Sequence, residues 1–215
     1  MHFIDIHTHS EITAESNVTI VNKLPQDTVS KGYFSVGYHP WYLKANEVTN
    51  QFELLTKKAL SPFCLAVGEC GLDKVVDTDY NLQLSVFKDH IALSETLQKP
   101  LIIHCVKSFQ EIYQLKKELK PSQQWILHGF TKNEQLANQM VSAGFKLSFG
   151  AALFKNSSVQ RTFANLLPES FFLETDDQLG ISIKAVYEKA AALRNVNIEE
   201  IQQIITKNFK EVFKV

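Results

Sequence analysis

Residues that make good metal ligands stand where short apolar runs of this chain end. His7 and His9 close the run from Phe3 to Thr8, and Glu69 closes Leu65 to Gly68. His104 closes Leu101 to Ile103, His128 closes Gln124 to Leu127, and Asp176 follows Phe171 to Thr175. Four imidazoles and two carboxylates are a mixed nitrogen and oxygen set suited to divalent Zn, Mg or Mn. Residues two apart share one face of a strand, so Asp5, His7 and His9 point the same way. Asp5, one step deeper, is placed to fix the tautomer of a histidine ring. Gly68 and Gly71 let the backbone around Glu69 pass close to a bound group, and its two oxygens could bridge two cations. Asp177 reads as the cap of the next helix, which leaves Asp176 for metal or water.

These residues converge only if the runs become parallel strands with their ends at one rim. Eight runs recur: Phe3 to Thr8, Val18 to Asn22, Tyr33 to Tyr38, Leu65 to Gly68, Leu101 to His104, Trp125 to His128, Phe145 to Phe149 and Phe171 to Glu174. Helical patterns separate most of them: Glu47 to Leu60, Asp79 to Gln98, Phe109 to Lys117, Asn133 to Ala143, Ser158 to Leu166, Ser182 to Arg194 and Ile198 to Phe213. Within the second, Leu82, Val86, Ile91, Leu93 and Leu97 give the apolar stripe. Strands alternating with helices predict a TIM-type (β/α) barrel, whose chemistry sits at the C-terminal ends of the strands. The stretches from Thr8 to Val18 and from Asn22 to Tyr33 have no apolar period, so the expected barrel is trimmed or distorted, without helices after its first two strands. Parallel neighbours usually need a longer crossover, so the second strand is open to antiparallel pairing or a place outside the barrel.

A chain of 215 residues is expected to form one domain over 1–215 with a single sizeable core. With 22 basic and 23 acidic residues the net charge is -1, which excludes a general electrostatic pull toward nucleic acid or membrane. Arg161 and Arg194 are the only arginines, so lysines must supply most phosphate contacts. No apolar run approaches the ~18 to 20 residues that cross a bilayer, and MHFIDIHTHS lacks a signal-peptide pattern. A cytoplasmic protein is expected, with no obligatory protein partner evident. Cys64, Cys70 and Cys105 read as reduced, apolar packing residues.

In order along the chain, IDIHTHS, VGYHPWY, AVGECGLD, LIIHC, ILHGFT, LSFG, ETD and TKNFKEVF resemble the motifs of TatD-type metal-dependent deoxyribonucleases, within the amidohydrolase-like barrel superfamily. The resemblance implies a centre of two divalent ions. His7, His9, Glu69 and Asp176 would surround one, and Glu69 would bridge to a second held by His104 and His128. It also places His39 near the scissile phosphate and Asp73 beside the metal ligands. The family's arginine two residues after the fifth-strand histidine is Val106 here, with Lys107 next to it. Lys74 replaces the aromatic residue after GLD, and Gln178 replaces the proline after ETD.

Two ions roughly 3.5 to 4 Å apart would acidify a shared water for attack on phosphorus. Asp176 is then the expected proton acceptor, with Glu69 as its catalytic companion, and His39 and Lys107 as substrate contacts. The implied substrates are single-stranded DNA ends or a small phosphodiester. The alternatives are an amidohydrolase-like esterase or lactonase, a PHP-type phosphoesterase, and a barrel that binds without turnover.

Overall fold

The β-branched and aromatic runs form strands, and the amphipathic stretches between them form helices. The structure, a computed structural model, describes residues 2–11, 17–28, 31–44, 48–178 and 180–215. The strands are β1 (Ile4–Thr8), β2 (Val18–Lys23), β3 (Tyr33–Val36), β4 (Cys64–Asp73), β5 (Leu101–Val106), β6 (Trp125–Leu127), β7 (Phe145–Phe149) and β8 (Phe171–Leu173). The helices are α1 (Val48–Ala59), α2 (Tyr80–Leu97), α3 (Phe109–Leu119), α4 (Glu134–Ser142), α5 (Ala152–Lys155), α6 (Ser157–Asn165), α7 (Ile183–Arg194) and α8 (Ile198–Phe213). The start expected for α1 at Glu47 lies outside the described residues.

The strands make one sheet of 8 whose order follows the chain from β1 to β8. β1 and β2, β3 and β4, β4 and β5, and β7 and β8 pair in parallel. The segment after β8 returns to β1: the Asp176 N–H donates to the His7 carbonyl at 2.9 Å, and the His9 N–H to the Asp176 carbonyl at 3.1 Å. A parallel sheet in chain order whose last strand leads back to its first has the TIM-type barrel topology.

Antiparallel or peripheral placement of β2 is corrected. Ile4 pairs with Val18 and Asp5 with Thr19, in parallel. A return along a strand of 5 residues covers only ~17 Å, which the residues between Thr8 and Val18 can span when extended at ~3.3 Å each. A crossover helix is therefore dispensable at this point. Among the described residues of the first two connections there is no helix; residues 12–16 and 29–30 lie outside the description.

The chain divides into two compact units, Met1–Val21 with Leu127–Val215, and Asn22–Ile126. In the first, Phe149, Phe163 and Phe171 stack edge-on at 5.2 and 4.7 Å. Tyr187 of α7 secures the start of β1, its hydroxyl donating to the Ile4 carbonyl and accepting the Ile4 N–H, both at 3.0 Å. Asn208 of α8, inside the TKNFKEVF motif, donates to the carbonyls of Pro168 at 2.8 Å and Phe171 at 2.9 Å, pinning the entry to β8. In the second unit Phe87 meets the buried Trp125 at 5.7 Å. Gln83 of α2 clamps the end of β4, accepting the Asp73 N–H at 2.8 Å and donating to the Asp73 carbonyl at 3.0 Å.

Candidate functional site

In the first unit the end of β1, the residue after β6 and the turn after β8 supply one cluster. His7 is fully buried, and its ring lies 4.3 Å from that of His128 and 5.2 Å from that of His9. Asp176 Oδ1 stands 3.5 Å from Nε2 of both His7 and His9. Asp176 adopts a left-handed backbone (φ 55), a conformation that Asp tolerates better than most residues. The Thr8 hydroxyl also donates to its carbonyl at 3.2 Å. Behind His128, the buried Glu174 places Oε1 3.5 Å from Nδ1 and accepts the Gly129 N–H at 2.6 Å. A cavity of about 620 Å³, lined by Thr8, His9, Thr175, Asp176, Ser182 and Lys184 among others, opens beside the cluster.

Asp5 does not orient an imidazole. Its carboxylate accepts the backbone N–H groups of His7 (3.3 Å) and Thr175 (3.1 Å) and the Thr175 hydroxyl (2.6 Å). It braces the turn that carries Asp176. Burial pushes its carboxyl up to about 7, against the pull of the Thr175 hydroxyl. Nor does Asp177 cap a helix: Ser182 caps α7, accepting the Ala185 N–H at 3.2 Å, and Asp177 accepts from Gln178 instead.

In the second unit Glu69 sits within β4 rather than closing it, because the strand continues to Asp73. The register shifts between Val67 and Cys70, and then Gly71 pairs with His104 and Asp73 with Val106. Gly71 permits this approach, since a Cβ there would lie 2.0 Å from the His104 carbonyl oxygen. Glu69, buried, sets Oε1 3.0 Å from both His39 Nε2 and His104 Nδ1. Asn22, at the end of β2, donates to its Oε2 at 3.4 Å and accepts its backbone N–H at 2.9 Å.

Asp73 closes the network. Its Oδ2 lies 3.0 Å from His104 Nε2 and accepts Nε1–H of Trp41 at 2.8 Å. Burial works to raise the Asp73 carboxyl, but the bonds from Trp41 and His104, with the Val75 N–H, outweigh it and hold the group below its ordinary value. Further back, His90 of α2 directs Nδ1 to the Val86 carbonyl at 2.7 Å and accepts the Tyr38 N–H on Nε2 at 3.0 Å. This fixes the residue before His39. Burial drives His90 down to about 4, which keeps it neutral.

His7, His128 and Asp176 thus fall in one ligand-capable group, with His9 beside them, and Glu69 and His104 fall in another. Within each group the ligand atoms lie within 4.8 Å of one another. His39, expected beside the phosphate, belongs to the second group. Lys107 lies exposed in the turn after β5, with φ 52. Of the two arginines, Arg194 donates to the carbonyls of Phe163 (2.8 Å) and Leu166 (2.9 Å), a role within the fold. Sequence reading passed over Asn22, Trp41 and His90. Polar Asn22 ending the apolar VTIVN run and His90 on the apolar stripe of α2 were the available signals.

The donor set fits divalent cations. Each group combines imidazole nitrogens with a carboxylate at spacings a single ion can draw together, and the buried Glu69 would be costly without cationic or hydrogen-bonding partners. Parallel (β/α) topology with histidine and carboxylate groups carried on its strands and on the turns after them is the arrangement of a metal-dependent hydrolase barrel.

The family follows from comparison. A family model described as TatD related DNase matches residues 2–214, and the chain belongs to that family. It is 32% identical over 197 residues to an uncharacterized metal-dependent hydrolase of Buchnera aphidicola, covering 84% of this chain and 74% of that one. With the uncharacterized metal-dependent hydrolase YabD of Bacillus subtilis it shares 30% identity over 201 residues, covering 85% and 78%. The crystal structure of YJJV, a TatD homolog from Escherichia coli k12, superposes with a TM-score of 0.83 at 22% identity, covering 99% of this chain and 98% of that one. The chain is a TatD-family metal-dependent hydrolase. Among the described residues no helix is long and apolar enough to cross a membrane.

Proposed function

We propose that the protein is a phosphodiesterase acting on DNA ends, with one divalent cation held by each ligand group. The carrying observation is the pair of histidine and carboxylate groups, each with three ligand atoms inside 4.8 Å. His7, His9, His128 and Asp176 would hold one ion, and His39, Glu69 and His104 the other. Glu69 as a bridge between ions is carried by the family resemblance alone. Bound cations supply Lewis acidity, drawing charge from a phosphoryl oxygen and acidifying water.

The chain's own groups then have distinct tasks. Asp176, half-buried and lining the cavity, accepts the proton of the attacking water on a carboxylate oxygen and returns it to the leaving alkoxide. Asp5 and Thr175 hold it at that position. Glu174 and Asp73 orient the rings of His128 and His104. Lys107, exposed at its strand end, steadies phosphate as a point charge.

A second reading, hydrolysis of a lactone or ester, draws on Val106 in place of the family's arginine and on the engagement of Arg194 in the fold. Protein loaded with Mn, Mg or Zn and assayed on 3′ ends of single-stranded DNA and on a lactone panel separates the two. Stepwise loss of 3′ nucleotides, abolished by Asp176→Asn, supports the nuclease. Lactone turnover with intact DNA would establish the second reading instead.

A further inference from the structure

We infer that Trp41 and Tyr42 form a stacking platform for a nucleobase at the end of a single-stranded nucleic acid, an inference that rests on the proposed phosphodiesterase reading. Both residues lie in the 3₁₀ turn Pro40–Tyr42 and keep more than half their surface in water, 53% for Trp41 and 55% for Tyr42. They flank the second ligand group. The Trp41 ring lies 4.8 Å from His39 and 5.9 Å from His104, and the Tyr42 ring 5.7 Å from His39.

What distinguishes Trp41 from a scattered surface aromatic is its fixation. Its Nε1–H is bound to the buried Asp73 at 2.8 Å, and its backbone N–H to His39 Nδ1 at 3.2 Å. Tyr42 N–H in turn donates to the His39 carbonyl at 3.1 Å. One edge of the indole is anchored beside the ligand group while much of its surface stays open. A ring ordered in advance loses little freedom when a base lies on it, and every base offers a π-face, so contact tolerates any sequence. The net charge of -1 leaves general electrostatics little part in holding a polyanion, which increases the value of such contact.

The test exploits the chain's 2 tryptophans, since Trp125 is fully buried and Trp41 alone is exposed. Metal-loaded protein is titrated with a phosphorothioate-linked penta-deoxyadenylate and with an abasic strand of equal length and charge. Affinities come from the anisotropy of fluorescein-labelled strands. The adenylate should quench tryptophan emission and bind about tenfold more tightly than the abasic strand. Trp41→Ala and Tyr42→Ala should each remove most of that preference, whereas Trp41→Phe, which keeps a ring for stacking but loses the anchoring bond to Asp73, should retain part of it.

Equal binding of the two strands without quenching, by protein that cleaves DNA, overturns the platform and leaves the nuclease reading standing. Trp41→Phe as damaging as Trp41→Ala, with Tyr42→Ala neutral, also overturns it, making Trp41 a positioning residue for Asp73 and His104. Binding of neither strand, together with no DNA cleavage, removes both proposals.

Discussion

Asp5 and Thr175 are joined twice: Asp5 Oδ2 accepts the threonine hydroxyl at 2.6 Å and Oδ1 its backbone N–H at 3.1 Å. The pair ties the interior of β1 to the residue before Asp176. Thr175→Val removes one donor from a buried carboxylate and should cost about 1–3 kcal/mol in urea unfolding, with metal affinity and turnover falling as well. Thr175→Ser should restore both. Unchanged metal affinity in the valine variant would show that Asp176 keeps its position without the brace.

Gly71 sets how closely β4 approaches β5. With φ 146 and a hypothetical Cβ 2.0 Å from a backbone oxygen, Gly71→Ala should destabilise by about 3 kcal/mol or more. Urea unfolding measures this, and a loss under 1 kcal/mol would show that the strand can move aside.

His90 makes stability depend on pH. Its folded value of about 4 lies below the ordinary 6.5, so the unfolded chain binds the proton first as pH falls. The contribution is complete above pH 6.5 and is lost progressively toward pH 4, by up to roughly 3 kcal/mol. His90→Leu should be less stable at pH 7, because the Tyr38 N–H loses its acceptor, and should flatten the wild-type slope between pH 6.5 and 4. Parallel slopes in the two proteins would rule out His90 as the source.

Ions that bind only the folded chain must stabilise it. Chelation should therefore lower the Tm by several degrees, and Mn or Zn should restore it. A Tm indifferent to chelator would mean that no ion is held in the folded state.

Part of this was legible because candidate metal ligands carried on greasy strands stand out: His128 directly follows the strand Trp125–Leu127, as its sequence context indicates, whereas β5 runs on past His104 to Val106. The reading failed where backbone geometry intervened. Leu65 to Gly68 reads as a run closed by Glu69, yet β4 shifts register between Val67 and Cys70 and continues past Glu69 to Asp73. The connection from β1 to β2 looked too short for parallel pairing because a helix was assumed to be needed. His39 beside Glu69, and Asp73 between Trp41 and His104, depend on side-chain contacts between elements far apart in the chain, which no local pattern encodes.

Each ligand group should hold one divalent cation. Elemental analysis of protein equilibrated with Mn and freed of excess should find two ions per chain in the wild type, and about one in each of His128→Ala and His104→Ala. Less than one ion in the wild type, or wild-type content in both variants, would contradict it.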